Sequence, residues 1–287
     1  MGCMMPRLQS AMEYLMTYGW AILAIAIVMV SLYSLGIFNT GNLQPTAIPG
    51  SCEIVRTAAQ TSLAGQCSNL IPKYVGQFNG QNSYIDIFGS AGMNGYSKLT
   101  LAAWINTYSY IGFPFIIVKG SNGPYQFYLY SSSNHPGWYL NGKITDTPFN
   151  GTVNTNSWYF VAVTYDSSSG QTVSYLNGHV DKIITGLSGQ ISTNGANVSI
   201  GGYVGGVGSW NGLISNIQVY NTSLSASDIL SLYDEGIGGE PVNFQSLLGW
   251  WPLNGNANDY SGNNNQGTAT RIVWNANWQS GYSSPSS

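Results

Sequence analysis

Short stretches that alternate between apolar and polar residues fill the chain from Tyr74 onward. Successive side chains of a β-strand point to opposite faces of the sheet, so a two-residue period predicts strands rather than helices. Gly, Asn and Ser separate the stretches at short intervals, which is typical of an antiparallel sandwich or jelly roll. The stretches are SYIDIF, LTLAAWINT, FIIVKG, YQFYLY, GWYLNG, WYFVAVTYD, TVSYLNG, VSIGGY and LISNIQVYN. The sequence therefore predicts an all-β fold.

One segment of this region has a helical pattern instead. SASDILSLYDEG places Ser225 where an N-cap residue is expected and Gly236 where a helix ends. We expect a single short helix between these two residues.

The composition excludes one class of function. Charged residues make up 7% of the chain, against roughly 25% in an average soluble protein. Eight basic and eleven acidic residues are scattered along the sequence, with no basic stripe that would follow a phosphate backbone. We therefore expect no nucleic-acid partner.

The N-terminal region contains a long apolar segment. From Trp20 to Phe38 only Ser31 and Ser34 are clearly polar, and a helix of this length crosses a ~30 Å hydrocarbon layer. The run is too long for the apolar core of a cleaved secretory signal. The pattern predicts a retained membrane helix with Arg7 on the cytoplasmic side, but it leaves the acid at Glu13 unexplained.

The string RLQSAMEYL resembles the class III signal peptide of archaeal type IV pilin-like proteins. The resemblance implies that a membrane prepilin peptidase removes residues 1–8 by cutting between Leu8 and Gln9, and that the helix over 9–38 is retained. Glu13 would then pair with the new amino group of a neighbouring copy, and the helices would self-assemble into a surface filament. The alternative is a membrane anchor that carries one stray acid.

Residues 39–73 have Gly and Pro breaks and little periodicity, which predicts a linker or an irregular collar. If the chain is exported, Cys52 and Cys67 can close a disulfide loop; two buried thiols are the alternative. Sequons at Asn150, Asn197 and Asn221 favour export and predict glycosylation.

Residues 74–287 resemble the laminin-G-like, concanavalin-A-like jelly roll. The stretches that carry the resemblance are FNGQNSYIDI (78–87), LTLAAWI (99–105), NSWYFVAVTYD (156–166), SYLNGHV (174–180), SIGGY (199–203) and WNGLISNIQVYNTSLSASDI (210–229). They occur in the family's order, and the resemblance implies one jelly-roll domain.

The C-terminal stretch WWPLNGNANDYSGNNNQGT, residues 250–268, resembles the segment that normally opens this family's domain. Its position at the end predicts a circularly permuted jelly roll that needs this strand to complete a sheet. The strand either closes its own domain or is donated to the next copy in a filament.

No catalytic constellation is present in the sequence. His135 and His179 lie in turn-like contexts, without a nucleophile motif or metal-ligand spacing nearby. The isolated acids do not form the carboxylate pair that a glycoside hydrolase needs. We expect a protein that is not an enzyme.

Two kinds of ligand remain open. Related jelly rolls bind calcium through loop oxygens, and Asp259, with Asn256 or Asn258, is the candidate; alternatively, Asp259 caps a turn. For a glycan, the candidate stacking aromatics are Trp138, Tyr125, Tyr203 and Trp210, with packing in the core as the alternative role of each.

These observations predict a pilin-like filament subunit at the cell surface, anchored in the membrane before assembly. Its jelly roll would serve structure or adhesion, with glycans or a host-cell surface as partners. The alternative is a monomeric, membrane-anchored carbohydrate-binding module, and an exported hydrolase is a third possibility.

Overall fold

A computed structural model describes residues 7–34, 46–58, 60–68, 70–120, 122–130, 133–140 and 144–285. The chain divides into two compact units, Met1–Gln44 and Pro45–Ser287. Residues 1–6 of the predicted leader and residues 35–38 of the predicted helix lie outside the described residues.

The first unit contains a single described helix, α1 (Arg7–Ser34). The backbone of Leu8, Gln9 and Glu13 is part of α1, but the structure does not describe the side chains of these three residues. Within the part of the chain that the structure describes, no helix is both long and apolar enough to cross a membrane, whereas the sequence predicts such a helix over 9–38.

The second unit consists of short strands and one α-helix, α2 (Ala226–Asp234). The strands are β1 (Thr46–Ala47), β2 (Cys52–Arg56), β3 (Thr61–Gly65), β4 (Ile71–Pro72), β5 (Val75–Asn79), β6 (Tyr84–Ile87), β7 (Lys98–Thr107), β8 (Phe115–Lys119), β9 (Tyr125–Leu129), β10 (Pro136–Leu140), β11 (Ile144–Pro148), β12 (Trp158–Asp166), β13 (Gln171–Leu176), β14 (His179–Ile184), β15 (Val198–Ile200), β16 (Asn211–Tyr220), β17 (Leu247–Trp251), β18 (Gly267–Thr270) and β19 (Val273–Asn275).

Two antiparallel sheets form the body of this unit. A seven-stranded sheet has the order β11-β10-β9-β8-β15-β6-β18, and an eight-stranded sheet has the order β14-β13-β12-β7-β16-β5-β19, with β17 also paired to β16. The predicted all-β sandwich of antiparallel sheets is therefore confirmed.

The alternation along each strand builds the core between the sheets. In β7, Leu101 and Ile105 point into this inter-sheet core, together with Val163 of the neighbouring β12. Because β7 lies in the middle of its sheet, its other face is buried as well, and Trp104 belongs to a second core on the outside of the sheet.

The second core covers the outer face of the eight-stranded sheet. Tyr233 of α2 stacks on Trp104 with a centroid distance of 5.7 Å. From the C-terminal tail, Trp278 meets Trp158 edge-on at 5.9 Å, and Ile54 of the β2–β3 hairpin is buried in the same cluster. Three separate segments of the chain therefore cover this face.

The local signals for turns and caps are present where the sequence predicts them. Ser225 accepts a hydrogen bond from the backbone N–H of Asp228 and donates its own N–H back to that carboxylate, which forms a capping box at the start of α2. Asn177 and Gly178, both with positive φ, form the two-residue turn between β13 and β14. The helix predicted between Ser225 and Gly236 is thus confirmed.

The β2–β3 hairpin is closed by the predicted disulfide. Cys52 and Cys67 are bonded, with their Cα atoms 4.9 Å apart. The Arg56 guanidinium donates to the carbonyls of Phe244 at 2.7 Å, Leu247 at 3.0 Å and Ser261 at 2.9 Å. Of the predicted linker or irregular collar over 39–73, the β2–β3 hairpin is therefore bonded into the domain rather than separate from it.

The C-terminal segment pairs with strands of its own chain. Trp251 of β17 lies opposite Ile217 of β16, and Gly267 of β18 lies opposite Ile87 of β6. Both sheets thus receive a strand from this segment. In this structure the segment completes the sheets of its own chain, rather than those of a neighbouring copy. That the domain arose by circular permutation stays a prediction.

Candidate functional site

The seven-stranded sheet presents an outer face that we call the open face. Among the described residues, the second core includes no side chain from any strand of this sheet. The residues of the open face alternate with those that point into the inter-sheet core, such as Ile85, Phe127 and Ile200. The open face consists of Tyr84, Asp86, Phe115, Val118, Gln126, Tyr128, Tyr139, Ser199 and Thr268.

Strand register aligns six of these residues in one row across the sheet. The successive pairs are Thr268 with Asp86, Asp86 with Ser199, Ser199 with Val118, Val118 with Gln126, and Gln126 with Tyr139. Five strand spacings of ~4.8 Å make this row about 24 Å long. Its accessible residues lie towards the two ends, since Ser199 and Val118 in the middle are both 0% exposed.

Five of the six residues in the row are polar, and Asp86 is the charged one. Asp86 is 8% exposed; its carboxylate accepts from the Asn197 side-chain amide at 3.2 Å and lies 3.5 Å from the Ser199 hydroxyl. Among the described residues, no Lys or Arg pairs with Asp86. Thr268 and Tyr139 add hydroxyls, and Gln126 adds an amide, so the row offers both donors and acceptors.

Aromatic rings cluster at one end of the open face. Phe113 meets Tyr128 edge-on at 6.1 Å, and Phe115 meets the same ring at 6.4 Å. Tyr130 lies 5.3 Å from Tyr128. Phe113 remains 53% exposed, so this aromatic cluster presents an apolar surface beside the polar row.

A separate cleft of about 390 Å³ lies on the other sheet, between the start of α2 and β14. Its polar groups are already engaged: Lys98 forms an ion pair with Asp166 at 2.8 Å, and the hydrogen bond from Lys98 lowers the pKa of Asp166 to about 2. Tyr175 in the floor is only 3% exposed. The open face is the better candidate because Thr268 is exposed and Gln126 and Tyr139 are half-buried in one register, although Asp86, Ser199 and Val118 between them are 8%, 0% and 0% exposed.

Comparison with known proteins identifies the fold's family. The Laminin_G_3 family model, described as the concanavalin A-like lectin/glucanases superfamily, matches residues 79–230, more than half of the chain. The chain belongs to this family. No curated protein sequence matches it.

Several solved structures are similar to this Laminin_G_3 chain. A candidate carbohydrate-binding protein from Bacteroides ovatus has a TM-score of 0.59 and 20% identity, over 77% of this chain and 65% of that one. The chain thus spans less than two thirds of the Bacteroides protein. A heptameric SAP-like pentraxin from Limulus polyphemus has a TM-score of 0.51 and 16% identity, over 70% of this chain and 94% of that one. At these identities the likeness shows the fold alone.

The aromatic residues predicted as a glycan platform are mostly core residues of the Laminin_G_3 domain. Trp138, Tyr125 and Trp210 are 1%, 0% and 0% exposed and belong to the inter-sheet core, so their prediction as exposed rings is wrong. Tyr203 is half-buried in a short turn, where its N–H donates to the Val207 carbonyl. Tyr139 follows Trp138 in β10 and therefore points to the open face, as the alternation in GWYLNG indicates.

The predicted calcium ligands do not fit a cation. The carboxylate of Asp259 accepts from the N–H groups of Trp250, Ser261 and Asn265 and from the Ser261 hydroxyl, all at 2.9–3.0 Å. Asn256 accepts from the N–H of Asn258. A calcium ion would have to displace these donors, so the bonds match the turn-capping alternative. Among the described residues, no three His, Cys, Asp or Glu side chains come together as a metal site.

The three sequons differ in their surroundings. Asn221 is exposed at the end of β16. Asn150 is also exposed, but its amide donates to the Asp181 carbonyl at 2.8 Å. Asn197 is half-buried and its amide is bound to Asp86. Glycosylation at these positions stays a prediction.

Lys119 anchors the loops at one end of the open face. It follows Val118 and is fully buried, and its Nζ donates to the carbonyls of Ser90 at 2.8 Å and Ala196 at 2.7 Å. Burial lowers the pKa of Lys119 to about 8. The folded state therefore holds this side chain as an ammonium only at a cost in stability.

This burial gives a pH-dependent prediction. Between pH 8 and the unfolded lysine pKa of ~10.4, the unfolded chain binds more protons than the folded one, so the contribution of Lys119 to stability rises with pH. From pH 8 to pH 10, we expect the free energy of unfolding of the wild type to gain about 2 kcal/mol relative to Lys119→Met. Urea unfolding of both proteins across this range measures the difference, and parallel pH profiles would contradict it.

Proposed function

We propose that this Laminin_G_3 chain is an exported cell-surface protein whose open face binds oligosaccharides without converting them chemically. The observation that carries the proposal is the accessible part of the row on the sheet face outside the second core, with Thr268 exposed at one end and Gln126 and Tyr139 half-buried at the other. The disulfide between Cys52 and Cys67 supports export, since such bonds persist in oxidising compartments.

The row can bind the hydroxyl groups of a sugar, and the aromatic cluster can pack against the apolar face of its ring. Hydroxyl groups of a sugar both donate and accept hydrogen bonds, and Thr268, Gln126 and Tyr139 supply matching partners. The apolar face of a pyranose ring packs against an aromatic ring, and Phe113 is exposed in the aromatic cluster beside the row. The distance of about 24 Å from Thr268 to Tyr139 favours an oligosaccharide, since a monosaccharide cannot reach both ends of the row. The Bacteroides ovatus neighbour, a candidate carbohydrate-binding protein, agrees with this proposal.

A matched pair of glutamines tests the proposed site. Gln126 and Gln171 are both half-buried in strands, the first on the open face and the second on the other sheet. We expect Gln126→Ala to weaken oligosaccharide binding about tenfold, which corresponds to ~1.4 kcal/mol of lost hydrogen bonding. Gln171→Ala should leave the affinity unchanged. Glycan-array screening of the full-length chain followed by calorimetry on the best probe measures both, and equal effects would contradict the site.

A second role is favoured by the surface of α1. Its described side chains include Trp20, Ile22, Ile25, Val28 and Val30, which are exposed in this unit. At 100° per residue they surround the helix, and a helix that is apolar all round is normally covered by other protein or lipid. We propose that copies of α1 cover one another in a filament, with Glu13 paired to the amino group freed at Gln9 by a prepilin peptidase.

Processing and assembly are tested in cells that contain a prepilin peptidase. We expect N-terminal sequencing of the mature protein to begin at Gln9, and Glu13→Gln to reduce the yield of sedimentable polymer several-fold. The matched control is Glu53→Gln, which neutralises an exposed acid in the β2–β3 hairpin and should leave the yield unchanged. A mature chain that begins at Met1, or a full polymer yield from Glu13→Gln, would contradict the filament role.

A further inference from the structure

The charges of the open face point to one class of ligand. We propose that the face binds neutral or amino sugars and rejects acidic sugars, because Asp86, which follows Thr268 near one end of the row, carries a negative charge that no Lys or Arg among the described residues pairs with. This inference rests on the proposed oligosaccharide binding and names the ligand class of that same site.

A count of charged residues supports the inference. Strands β6, β8, β9, β10, β15 and β18, which form the row, contain only two Asp, Glu, Lys or Arg residues, Asp86 and Lys119. The edge strand β11 adds a second acid, Asp146, and no base. Lys119 is thus the only cation that these strands supply, and the exposed Arg271 follows the end of β18, outside the row.

Lys119 does not offset the charge of Asp86 at the surface. It is fully buried, and the residue before it, Val118, is the one that lies in the row. Its Nζ is held by the carbonyls of Ser90 and Ala196. Since its donors are directed to these loops, the ammonium group is not presented to a ligand on the open face.

The partners of Asp86 stabilise the carboxylate without neutralising it. The Asn197 amide and the Ser199 hydroxyl are both uncharged. A largely buried carboxylate is poorly screened by water, so its repulsion of a second anion nearby is stronger than it would be at an exposed position. The same charge attracts the ammonium group of an amino sugar. Such a repulsive element gives selectivity even where the polar contacts of two ligands are alike.

Matched pairs of probes test this selectivity on the full-length chain. The probes are neutral oligosaccharides, the same oligosaccharides carrying a sialic acid, uronate or sulfate, and glucosamine oligosaccharides. We expect the neutral and amino probes to bind at least tenfold more tightly than their acidic counterparts. Asp86→Asn should reduce the ratio of neutral to acidic affinity to about threefold or less. The control is Asp234→Asn, which neutralises an exposed acid on α2 and should leave the ratio unchanged.

Salt gives an independent readout that needs no variant. Because added salt screens repulsion between charges, the affinity of the wild type for acidic probes should rise from 20 mM to 500 mM NaCl, while that for neutral probes stays level. Acidic probes that bind as tightly as neutral ones would overturn the inference and leave oligosaccharide binding standing. Binding of no probe of any class would overturn both.

Discussion

A chain that ends after Glu240 will not fold into a cooperative domain. It loses β17, β18 and β19, which pair with β16, β6 and β5. It also loses three buried tryptophans, Trp250, Trp251 and Trp278, which are 2%, 0% and 1% exposed. Truncating one buried Trp costs ~3–5 kcal/mol, so together these losses match the ~5–15 kcal/mol by which a domain is stable.

Circular dichroism during heating measures this outcome. We expect the truncated chain to show no cooperative melting transition, and a chain that ends after Ser284 to melt like the full-length protein, since it keeps every strand. A truncated chain that melts at the full-length temperature would contradict the role of this segment.

The parts of the fold that were predictable depend on signals within a few residues. The alternation in stretches such as LTLAAWINT predicts strands, because successive side chains of a strand point to opposite faces of the sheet. The helix between Ser225 and Gly236 depends on a cap and a stop that lie within one short segment. The disulfide was predictable from two cysteines that flank a short loop, once export was assumed.

The candidate site was not predictable because its parts are far apart in the sequence. Asp86, Gln126 and Thr268 become neighbours only through strand order and register. Their outward direction could be inferred from alternation with buried neighbours. The sequence does not indicate, however, which sheet has its outer face covered by α2 and the C-terminal tail.

The lack of information on tertiary packing also explains why three of the four aromatic residues predicted to bind glycans are core residues. Trp138 precedes Tyr139 in one strand, and either ring is a reasonable platform until the inner side of that strand is known. The inner side is set by packing against the other sheet, where Trp138 is buried. Large aromatic residues in strands are therefore better candidates for the core than for a surface site.

The β2–β3 hairpin within the predicted linker or collar was not predictable for a related reason. Gly and Pro breaks around the two cysteines remove periodicity, which indicates loops when only local pattern is considered. The segment is nevertheless fixed by contacts to residues about 200 positions away, such as the bonds from Arg56 to Leu247 and Ser261. Its order therefore comes from the tertiary structure.

Removal of the disulfide should lower the stability of the domain by about 3 kcal/mol, the loop-entropy value for a closed loop of roughly 15 residues. The double variant Cys52→Ser/Cys67→Ser avoids a free thiol and tests this loss. For a domain of this size, 3 kcal/mol corresponds to a fall in Tm of ~6–12 °C. The loss comes mainly from the greater freedom of the unfolded chain, so the hairpin's contacts through Ile54 and Arg56 are expected to persist in the folded variant.

Thermal melting with and without reductant separates the disulfide from other effects of cysteine substitution. The wild type treated with dithiothreitol should melt like the double variant, and the double variant should not respond to the reductant. Cys3→Ser, which leaves the bonded pair intact, should melt like the oxidised wild type. Equal melting temperatures for the double variant and the oxidised wild type would show that the hairpin's packing and the Arg56 hydrogen bonds hold this segment without the covalent link.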